Sequence, residues 1–551
     1  MRCFHHNTLP CRLPPLLKRR REETALLSRR CLQTALSAHV RRDDPYRRPT
    51  LKLRPKCDRH LLRGSSWVWQ SDIQNHGDLQ RHSPCLVNVE SADGEDRGVA
   101  TYNRNSSIAA RLLSHERFVR IDEAFFFDVL QRALKFRQRC FPEPFYRLIH
   151  AEADGLPGVV IDRYGDEVSM MINSAGMDGL SASLIRAVDE CLKPRVIVLR
   201  NDSPVRKLEK LPLTKEVCKG QYAGATEVRE NGCSFLVDLL EGQKTGWYFD
   251  QRDNRALLTG YAEGRDVLDL FAYTGGFGIQ AAAYGASQVT CVDSSAPAVN
   301  FCKQNAALNA VASKVRVEKS CAFGWLEKAT GTSYHKLKEQ RKEERRKRAA
   351  AVSGALWSSD DEEEQEEEER KPEGKGRRSR ESSAFVDSEV SEIQEPKIDY
   401  EERRNFSANS GGTVQGIRKE SEEESMEHQE IQGGEMEDFR TPEAVAPQFD
   451  LIVIDPPPMA RHVNLVYSAL PRLRRLVAEA SLLLREDGVL FVSSCSRAID
   501  ARTLLACAQR GVAVAGRRCQ LIAQSGASPD HPVHPSIPET SYLSALTLRV
   551  F

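Results

Sequence analysis

The stretch Val267-Leu-Asp-Leu-Phe-Ala-Tyr-Thr-Gly-Gly-Phe277 decides the fold of this 551-residue chain. Its first half is apolar, as in a buried strand, and Gly275 and Gly276 then permit a turn close to a ligand before a helix begins. Some twenty residues later, Val289-Thr-Cys-Val-Asp293 is a second apolar strand that ends on a carboxylate. A strand, a glycine turn, a helix and a strand ending in an acid predict a nucleoside-binding half-site, in which Asp293 holds a ribose diol.

The turn itself favours one class of cofactor. A dinucleotide site needs Gly-x-Gly-x-x-Gly, whereas residues 273–278 read Tyr-Thr-Gly-Gly-Phe-Gly. An Asp-x-Phe-x-x-x-Gly-Gly turn, present here from Asp269, is the one that S-adenosylmethionine (AdoMet) methyltransferases use. We therefore predict an AdoMet site, and the residues expected to form it are Asp269, Phe271, Ala272, Tyr273, Thr274, Gly275, Gly276, Phe277, Asp293, Ser294, Asp455, Pro456, Gln251 and Arg252.

A second segment, far along the chain, is expected to complete the site. Phe449-Asp-Leu-Ile-Val-Ile-Asp-Pro-Pro457 is an apolar strand that ends in an acid and two prolines. The prolines fix an extended backbone and have no N–H to donate, so their carbonyls are acceptors for the amino group of a base. Asp455 is expected to hold that amino group or to help protonation at ring nitrogen 3.

Several motifs, in order along the chain, resemble those of one family. Glu-Gly-Gln-Lys-Thr-Gly-Trp-Tyr-Phe-Asp-Gln-Arg, which begins at Glu241, is similar to a motif of the bacterial large-subunit rRNA cytosine-C5 methyltransferases that carry an N-terminal PUA domain. The resemblance covers about residues 50–325 and 447–551. It implies an AdoMet-dependent enzyme that forms 5-methylcytosine in rRNA. The other matching segments are residues 150–165, 493–496, 530–532 and 538–543.

The chemistry that this resemblance implies requires a cysteine. Carbon 5 of a pyrimidine is barely nucleophilic, so a thiolate first adds to carbon 6 and makes carbon 5 enolate-like. Cys495 follows the apolar strand 489–493, which is expected to lie beside the strand that ends at Asp455. We therefore predict that Cys495 is the catalytic nucleophile and that Asp455 is the second catalytic residue.

Two departures from the family pattern leave other functions open. Met459 stands where the family usually has Phe, and Cys321 stands where it usually has an Asp that contacts adenine. Asp-Pro-Pro turns also occur in methyltransferases that act on exocyclic amines, and relatives of this fold methylate guanine without a cysteine. The alternatives are therefore an rRNA guanine or exocyclic-amine methyltransferase and a non-catalytic RNA-binding assembly factor.

The pattern of the whole chain predicts an α/β protein. A Rossmann-like class I methyltransferase domain is expected to follow an N-terminal PUA-like β-barrel and an α+β central domain. A charged, apolar-poor stretch interrupts the last domain and is predicted to be a disordered insertion, because it cannot bury enough surface to offset its ordering entropy. The predicted boundaries are 1–50 (basic, disordered or transit), 51–120 (PUA-like), 121–235 (central), 236–330 with 447–551 (methyltransferase) and 331–446 (insertion).

Composition bounds the compartment and the partners. The net charge is +1, but residues 1–60 hold 16 Lys/Arg against 5 Asp/Glu, which fits a transit peptide or an arm that binds RNA phosphates. We expect a mitochondrial or plastid location, with the cytoplasm as the alternative, and rRNA as the partner. No apolar run is long enough for a membrane span, and the fifteen cysteines show no Cys-x-x-Cys spacing for zinc. We accordingly expect no membrane and no metal, and a possible homodimer.

Overall fold

The structure is a computed structural model that describes residues 43–357, 448–460 and 463–551. The N-terminal basic segment, apart from its last residues, and the acid-rich part of the predicted insertion therefore lie outside the described residues. In the part that is described, sheets of five, five and seven strands follow one another along the chain, and a two-stranded hairpin lies between the second and the third of them.

The first sheet matches the predicted PUA-like region. Its five strands lie in the order β1-β3-β4-β5-β2, and alternating side chains such as Val87 and Val89 are buried in its core. Gly98 has a φ of 116°, and a Cβ there would lie 2.0 Å from the Ser114 carbonyl oxygen, so only glycine fits this close approach between strands. The elements are β1 (Thr50–Lys52), α1 (Arg59–Leu62), β2 (Trp67–Val68), α2 (His76–Leu79), β3 (Cys85–Glu90), β4 (Asp96–Tyr102) and β5 (Ala110–Ser114).

The central domain is a second five-stranded sheet covered by two long helices. The helix α3 begins after Asp122, whose side chain accepts the backbone N–H groups of Ala124 and Phe125 as an N-cap. Its apolar face, which includes Leu130 and Leu134, is buried against the sheet. The elements are α3 (Glu123–Cys140), β6 (Phe145–His150), β7 (Val159–Tyr164), β8 (Glu167–Ile172), α4 (Ala175–Asp178), α5 (Ser181–Leu192), β9 (Val196–Asn201) and β10 (Thr214–Lys219).

A hairpin and a helix lead into the third sheet. The strands β11 (Thr226–Glu230) and β12 (Cys233–Val237) pair only with each other among the described strands. The helix α6 (Arg252–Thr259) follows and packs against the first helix of the catalytic domain. Asn305 anchors the hairpin, since its side chain accepts the N–H of Leu236 at 2.6 Å and donates to the Leu236 carbonyl at 3.2 Å.

The third sheet has seven strands in the order β15-β14-β13-β16-β17-β19-β18, and β19 runs antiparallel to the other six. The chain runs outward from β13 to β15 and then resumes on the other side of β13 at β16. The carboxyl ends of β13 and β16 therefore flank the switch point where doubly wound folds bind ligands. The strands are β13 (Asp266–Leu270), β14 (Gln288–Asp293), β15 (Val315–Lys319), β16 (Phe449–Ile454), β17 (Leu484–Ser494), β18 (Cys519–Ser525) and β19 (Ser544–Val550).

Helices cover both faces of this sheet, as predicted for a Rossmann-like domain. One apolar core cluster contains Val267 and Phe491, and the other contains Leu268 and Val492, so neighbouring residues of one strand face opposite cores. The class predicted from the sequence is confirmed, although β18 was not among the predicted strands. The helices are α7 (Gly276–Ala283), α8 (Ala296–Leu308), α9 (Ala322–Thr330), α10 (Tyr334–Trp357), α11 (Val466–Leu483) and α12 (Ala501–Val514).

The helix α10 corrects the predicted extent of the disordered insertion. Within the predicted insertion, residues 334–357 form a helix in the structure, and its first turns dock on the catalytic domain. Leu337 is buried, and Arg341 donates to the carbonyl oxygens of Val514 (3.3 Å) and Ala515 (3.1 Å) at the end of α12. A guanidinium at a helix C-terminus satisfies carbonyls that lack intrahelical partners. The segment is highly charged on average, so its composition does not reveal the contacts that Leu337 and Arg341 make.

Candidate active site

The turn between β13 and α7 is held in an unusual backbone conformation. Phe271, Tyr273 and Gly275 have φ values of 63°, 50° and 90°. Two of these residues are not glycine, and such strain persists where the surrounding structure fixes a functional loop. A Cβ at Gly276 would lie 2.8 Å from Arg255 Nε and 3.2 Å from the Trp247 ring, so any larger residue there would displace the Arg255 side chain. The turn is thereby fixed at the start of α7.

Asp269 is hydrogen-bonded to the helix that follows this turn. Its side chain is fully buried, and Oδ2 accepts the N–H of Gly278 at 2.8 Å. Burial raises the pKa of Asp269 to about 7. The carboxyl group therefore fixes the first turn of α7 and does not line the cleft, although the sequence placed it among the cofactor residues. Thr274 is also buried, and its hydroxyl has no hydrogen-bond partner among the described residues.

Asp293 lies at the carboxyl end of β14, at the rim of the same cleft. One carboxylate oxygen accepts the N–H of Tyr273 at 2.9 Å, and the other accepts the N–H of Ser295 at 2.8 Å. Each oxygen keeps a further lone pair, so the group can accept two hydroxyl donors from a ligand.

Cys495 and Asp455 both line the cleft, each directly after the carboxyl end of its strand, β17 and β16. The Cys495 Sγ lies 3.8 Å from the Pro456 carbonyl oxygen. Asp455 Oδ1 accepts the amide N–H of Gln251 at 2.8 Å and the hydroxyl of Ser493. The strands β16 and β17 are neighbours in parallel register, which brings their carboxyl ends together.

Burial is the main influence on the pKa values of Asp455 and Cys495. It raises the pKa of Asp455 above its ordinary value, against the effect of the Ser493 hydrogen bond. It raises the pKa of Cys495 to about 12, and the carboxylates of Asp455 and Asp250 add to that increase. The ammonium of Lys244 acts in the opposite direction. The thiol is therefore protonated at neutral pH in the free protein.

Most of the predicted site residues line one cleft. The residues at its wall are Phe271, Ala272, Tyr273, Gly276, Phe277, Asp293, Ser294, Gln251, Asp455, Pro456 and Cys495. Asp269, Thr274 and Gly275 lie in or beneath the turn and do not form the wall.

Arg252 is directed away from the cleft, so its prediction as a cofactor residue is not supported by its position. Its guanidinium lies over the rings of Phe141 (4.5 Å) and Phe249 (5.3 Å) and donates to the Phe145 carbonyl. Arg255, one helical turn later, lines the cleft instead. Arg255 lines the cleft in place of Arg252 because of the direction of α6, and the sequence motif alone does not reveal that direction.

Sequence reasoning does not assign Asp250, Tyr248 or Tyr542 to the site. From the sequence, Lys244 is expected to position the methionine carboxylate of AdoMet or an RNA phosphate. Lys244 Nζ lies 3.4 Å from Asp250 Oδ2 and 4.3 Å from the centre of the Tyr248 ring. The hydroxyl of Tyr542 donates to the same Asp250 oxygen. The motifs of residues 241–255 and 538–543 contained these residues, but only the fold shows that they converge.

A buried polar network supports this convergence. Arg147 donates to both carboxylate oxygens of Asp162, at 2.8 and 2.9 Å, and Asp530 Oδ2 accepts the Arg147 backbone N–H at 3.0 Å. His531 Nδ1 lies 2.8 Å from Asp530 Oδ1. His531 is buried behind the cleft and packs against the His150 ring, with centroids 5.0 Å apart. The network joins the central domain to the C-terminal motif.

The two residues that depart from the family pattern lie outside the cleft wall. Met459 packs against the core of the catalytic domain, and Cys321 is exposed at the start of α9. Among the described side chains, no cluster of three or more His, Cys, Asp or Glu has the arrangement of a metal site. No helix in the described ranges is both long enough and apolar enough to cross a bilayer.

Comparison with known families agrees with this architecture. Residues 212–328 match the S-adenosylmethionine-dependent methyltransferase family, and residues 51–115 match the PUA-like domain. The chain therefore carries one segment similar to an AdoMet-dependent methyltransferase domain and one similar to a PUA-like domain. The family's methyltransferase match contains both the glycine turn and Asp293, and it ends just before α10.

Curated relatives carry the name ribosomal RNA large subunit methyltransferase I. The proteins of Alteromonas mediterranea and Shewanella amazonensis are each 36% identical to this chain, over 260 and 264 residues. Each match covers 47% of this chain and 65% or 66% of the relative, so the chain spans just under two thirds of the length of the relatives that it matches.

Two solved structures share the fold of this chain. A structure named as that of a methyltransferase complexed with SAH has a TM-score of 0.61 at 17% identity, and covers 91% of this chain and 100% of its own. A methyltransferase from Streptococcus mutans gives a TM-score of 0.59 with the same identity and coverage. These likenesses concern the fold.

The relatives also correct the predicted location. The mitochondrial or plastid prediction is wrong, because the matched proteins are those of Alteromonas, Shewanella and Yersinia, which are bacteria, and this favours the cytoplasmic alternative. The prediction rested on the basic composition of residues 1–50, which an arm that binds RNA phosphates explains equally well.

Proposed function

We propose that this chain transfers a methyl group from AdoMet to carbon 5 of cytosine in large-subunit rRNA. The observation that carries the proposal is a single cleft that is lined both by the carboxylate of Asp293 and by a cysteine beside an Asp-Pro turn, Cys495. The first feature fits a nucleoside cofactor, and the second fits covalent activation of a pyrimidine. The names of the curated relatives support rRNA as the substrate.

The residues of the cleft fit AdoMet. Asp293 would hold the ribose hydroxyls, and the strained turn from Phe271 to Gly275 would place backbone groups beside the rest of the nucleoside. Phe271 and Phe277 supply apolar walls for an adenine ring. When bound, AdoMet supplies an electrophilic methyl group.

In this proposal, Cys495 is the nucleophile that attacks the target base. Its thiolate would add to carbon 6, and the electron pair of the 5,6 double bond would become available for methylation at carbon 5. The Pro456 carbonyl, 3.8 Å from Sγ, is an acceptor for the amino group of cytosine, and Asp455 would hold the base at nitrogen 3. Loss of the carbon 5 proton then restores the double bond and releases the thiolate.

The PUA-like sheet supports an RNA substrate. It is joined firmly to the central domain, since Trp67 Nε1 donates to Glu152 at 3.0 Å and Arg111 pairs with Glu209 at 2.8 Å. A rigid connection would let a bound RNA present one nucleotide to the cleft. The homodimer stays a prediction that sedimentation of the purified chain would test.

Incubation of the purified chain with radiolabelled AdoMet and unmodified large-subunit rRNA tests the proposal. After nuclease digestion, the label should be found in 5-methylcytidine, and Cys495→Ala should give none while binding AdoMet normally. Label in a methylated guanine, or transfer that persists in Cys495→Ala, would contradict the cytosine mechanism. The absence of label from every nucleoside would favour a non-catalytic RNA-binding role.

A further inference from the structure

The side-chain amide of Gln251 is held in one orientation by hydrogen bonds that start at a backbone carbonyl. The Gly526 carbonyl can only accept, so the Asn254 side-chain atom 3.2 Å from it is the amide nitrogen, Nδ2. The same Nδ2 donates to Gln251 Oε1 at 2.6 Å. Asn254 Oδ1 accepts the hydroxyl of Ser525 at 2.7 Å, which agrees with this orientation. The NH₂ group of Gln251 is therefore directed the other way, toward Asp455.

Asp455 receives this donor on only one of its two carboxyl oxygens. Oδ1 accepts the Gln251 amide at 2.8 Å and also the hydroxyl of Ser493. No described residue hydrogen-bonds to Oδ2, and the Asp455 side chain lines the cleft. In a carboxylic acid, the oxygen that accepts two donors acts as the carbonyl oxygen, so a proton on Asp455 lies on Oδ2. Burial raises the pKa of Asp455, which favours the protonated form.

We propose that Gln251 makes the cleft select cytosine over uracil by keeping the Asp455 proton on Oδ2. The inference rests on the proposed function, and Gln251 is a positioning residue because it acts through Asp455. An O–H group at Oδ2 donates to nitrogen 3 of cytosine, which is an acceptor. Nitrogen 3 of uracil carries a hydrogen and is a donor, so the same O–H group opposes it. A polar group left without a partner in a closed site is a strong source of discrimination between such bases.

The proton on Oδ2 also takes part in the reaction. When the Cys495 thiolate forms its bond to carbon 6, the electrons of the base move onto nitrogen 3, which takes the proton from Asp455. The two donors on Oδ1 stabilise the carboxylate that is left. After carbon 5 has received the methyl group, its proton leaves to water, the carbon–sulfur bond breaks and the electron pair returns to sulfur. Nitrogen 3 then returns its proton to Oδ2.

The charged groups around Asp455 come from several elements. Asp250 raises the pKa of Asp455, whereas Arg255 and Lys244 lower it. Asp455 in turn raises the pKa of Asp269, on the neighbouring strand β13. A substitution at position 251 changes the contact at Oδ1 and leaves all of these groups in place.

The test uses the full chain and two large-subunit rRNA fragments, which carry cytidine or uridine at the position that the wild type methylates. The rates of 5-methylcytidine and 5-methyluridine formation are measured from pH 6 to pH 8, and AdoMet affinity is measured by calorimetry. The variants are Gln251→Glu, the uncharged Gln251→Met, and the control Gln243→Glu. Gln243 lines the same cleft and accepts the Tyr248 hydroxyl at 2.7 Å, a bond that a carboxylate can also make.

In Gln251→Glu, a carboxyl group replaces the amide beside Oδ1, and two carboxyl groups this close share one proton. That proton then lies at Oδ1, so Oδ2 becomes an acceptor. At pH 8 the cytidine rate should fall at least about tenfold, and 5-methyluridine formation should exceed that of the wild type at least about tenfold. The uridine rate stays below the wild-type cytidine rate, because the Pro456 carbonyl still opposes oxygen 4 of uracil.

The pH dependence separates proton placement from packing. At pH 6 a second proton binds to the carboxyl pair and restores the O–H at Oδ2, so the cytidine rate of Gln251→Glu should rise relative to that of the wild type. Gln251→Met should lower the cytidine rate by the same factor at every pH and form no 5-methyluridine. Gln243→Glu should keep the wild-type base preference, and AdoMet affinity should stay within about twofold in all variants.

Several results would overturn the inference. A tenfold loss of AdoMet affinity in Gln251→Glu would assign Gln251 to the cofactor instead, as the sequence predicts. Equal losses in Gln251→Glu and Gln251→Met at every pH, or no gain of 5-methyluridine in Gln251→Glu, would show that this amide does not set the base preference. These outcomes leave the proposed function intact. If the wild type forms no 5-methylcytidine at any pH, the proposed function itself fails.

Discussion

The two ends of the cleft are built in different ways. The cofactor end comes from one continuous stretch, residues 267–295, in which each strand and turn follows the last. The thiol end is assembled from four separated segments that contribute Lys244 with Asp250, Asp455, Cys495 and Tyr542. Local sequence can therefore specify the first end, whereas only the complete fold brings the second together. Substitutions at the two ends should affect different measurements.

The largest expected effect concerns Asp269 beneath the cofactor turn. Its pKa in the folded chain is raised to about 7, so folding favours the protonated carboxyl group. The stabilisation is full below the pKa of an unfolded aspartate, near pH 4, and is lost as the pH rises through 7. Between pH 5 and pH 8 the free energy of unfolding of the wild type should fall by roughly 2–4 kcal/mol. The free energy of unfolding of Asp269→Asn should not fall in this way.

Thermal unfolding of both proteins at pH 5 and pH 8 gives this comparison directly. The unfolding temperature of the wild type minus that of Asp269→Asn should be smaller at pH 8 than at pH 5, or should change sign. A difference that is the same at both values would show that Asp269 does not titrate in this range.

The next effect concerns the cofactor end alone. Replacing Asp293 with Ala removes acceptors for a ribose diol and for the N–H groups of Tyr273 and Ser295. A charge-assisted hydrogen bond contributes roughly 1.5–3 kcal/mol, so AdoMet affinity should fall at least about tenfold in calorimetry. Asp293→Asn keeps one acceptor and should be intermediate. Unchanged affinity in both variants would contradict the assignment of the diol.

A smaller effect is expected at the thiol end. Tyr542→Phe removes the hydroxyl that donates to Asp250, so the ion pair with Lys244 loses one of its supports. The rate of methyl transfer should fall about tenfold, in line with roughly 1–2 kcal/mol for a buried hydrogen bond, while AdoMet affinity stays unchanged. The matched control is Tyr284→Phe, at an exposed tyrosine outside the cleft. A loss of AdoMet affinity in Tyr542→Phe would show that the two ends are coupled.

The smallest effect lies outside the cleft, at α10. Arg341→Ala removes two hydrogen bonds to the end of α12 and should lower the stability of the folded chain by about 1 kcal/mol. The control Lys342→Ala changes an exposed neighbour and should leave the unfolding midpoint unchanged. Equal midpoints for the two variants would mean that α10 docks without help from Arg341.

The sequence could predict those parts of the fold and the site that depend on continuous stretches of chain. The strands around Asp293 and Asp455 have apolar runs that end abruptly in polar residues, and such runs fix both the sheet and the edge where a site forms. The position of Cys495 followed from its place after a neighbouring strand. These features depend only on which residues follow one another along the chain, and this information is present in the sequence.

What sequence could not predict depends on side-chain direction and distant packing. Arg252 and Arg255 look alike in the motif, yet α6 turns the first onto Phe141 and the second into the cleft. Tyr542 meets Lys244 only after the C-terminal segment folds back over the central domain. The docking of α10 rests on single contacts at Leu337 and Arg341, which the charged composition of the segment conceals.

One measurement tests the central claim most directly. The wild type is incubated with AdoMet and large-subunit rRNA fragments that contain 5-fluorocytosine, and the trapped complex is digested and analysed by mass spectrometry. The peptide that contains Cys495 should carry a nucleotide joined through sulfur, with one added methyl group, and Cys495→Ala should yield no trapped complex. A complex trapped through another cysteine, or methylation without any adduct, would contradict the account.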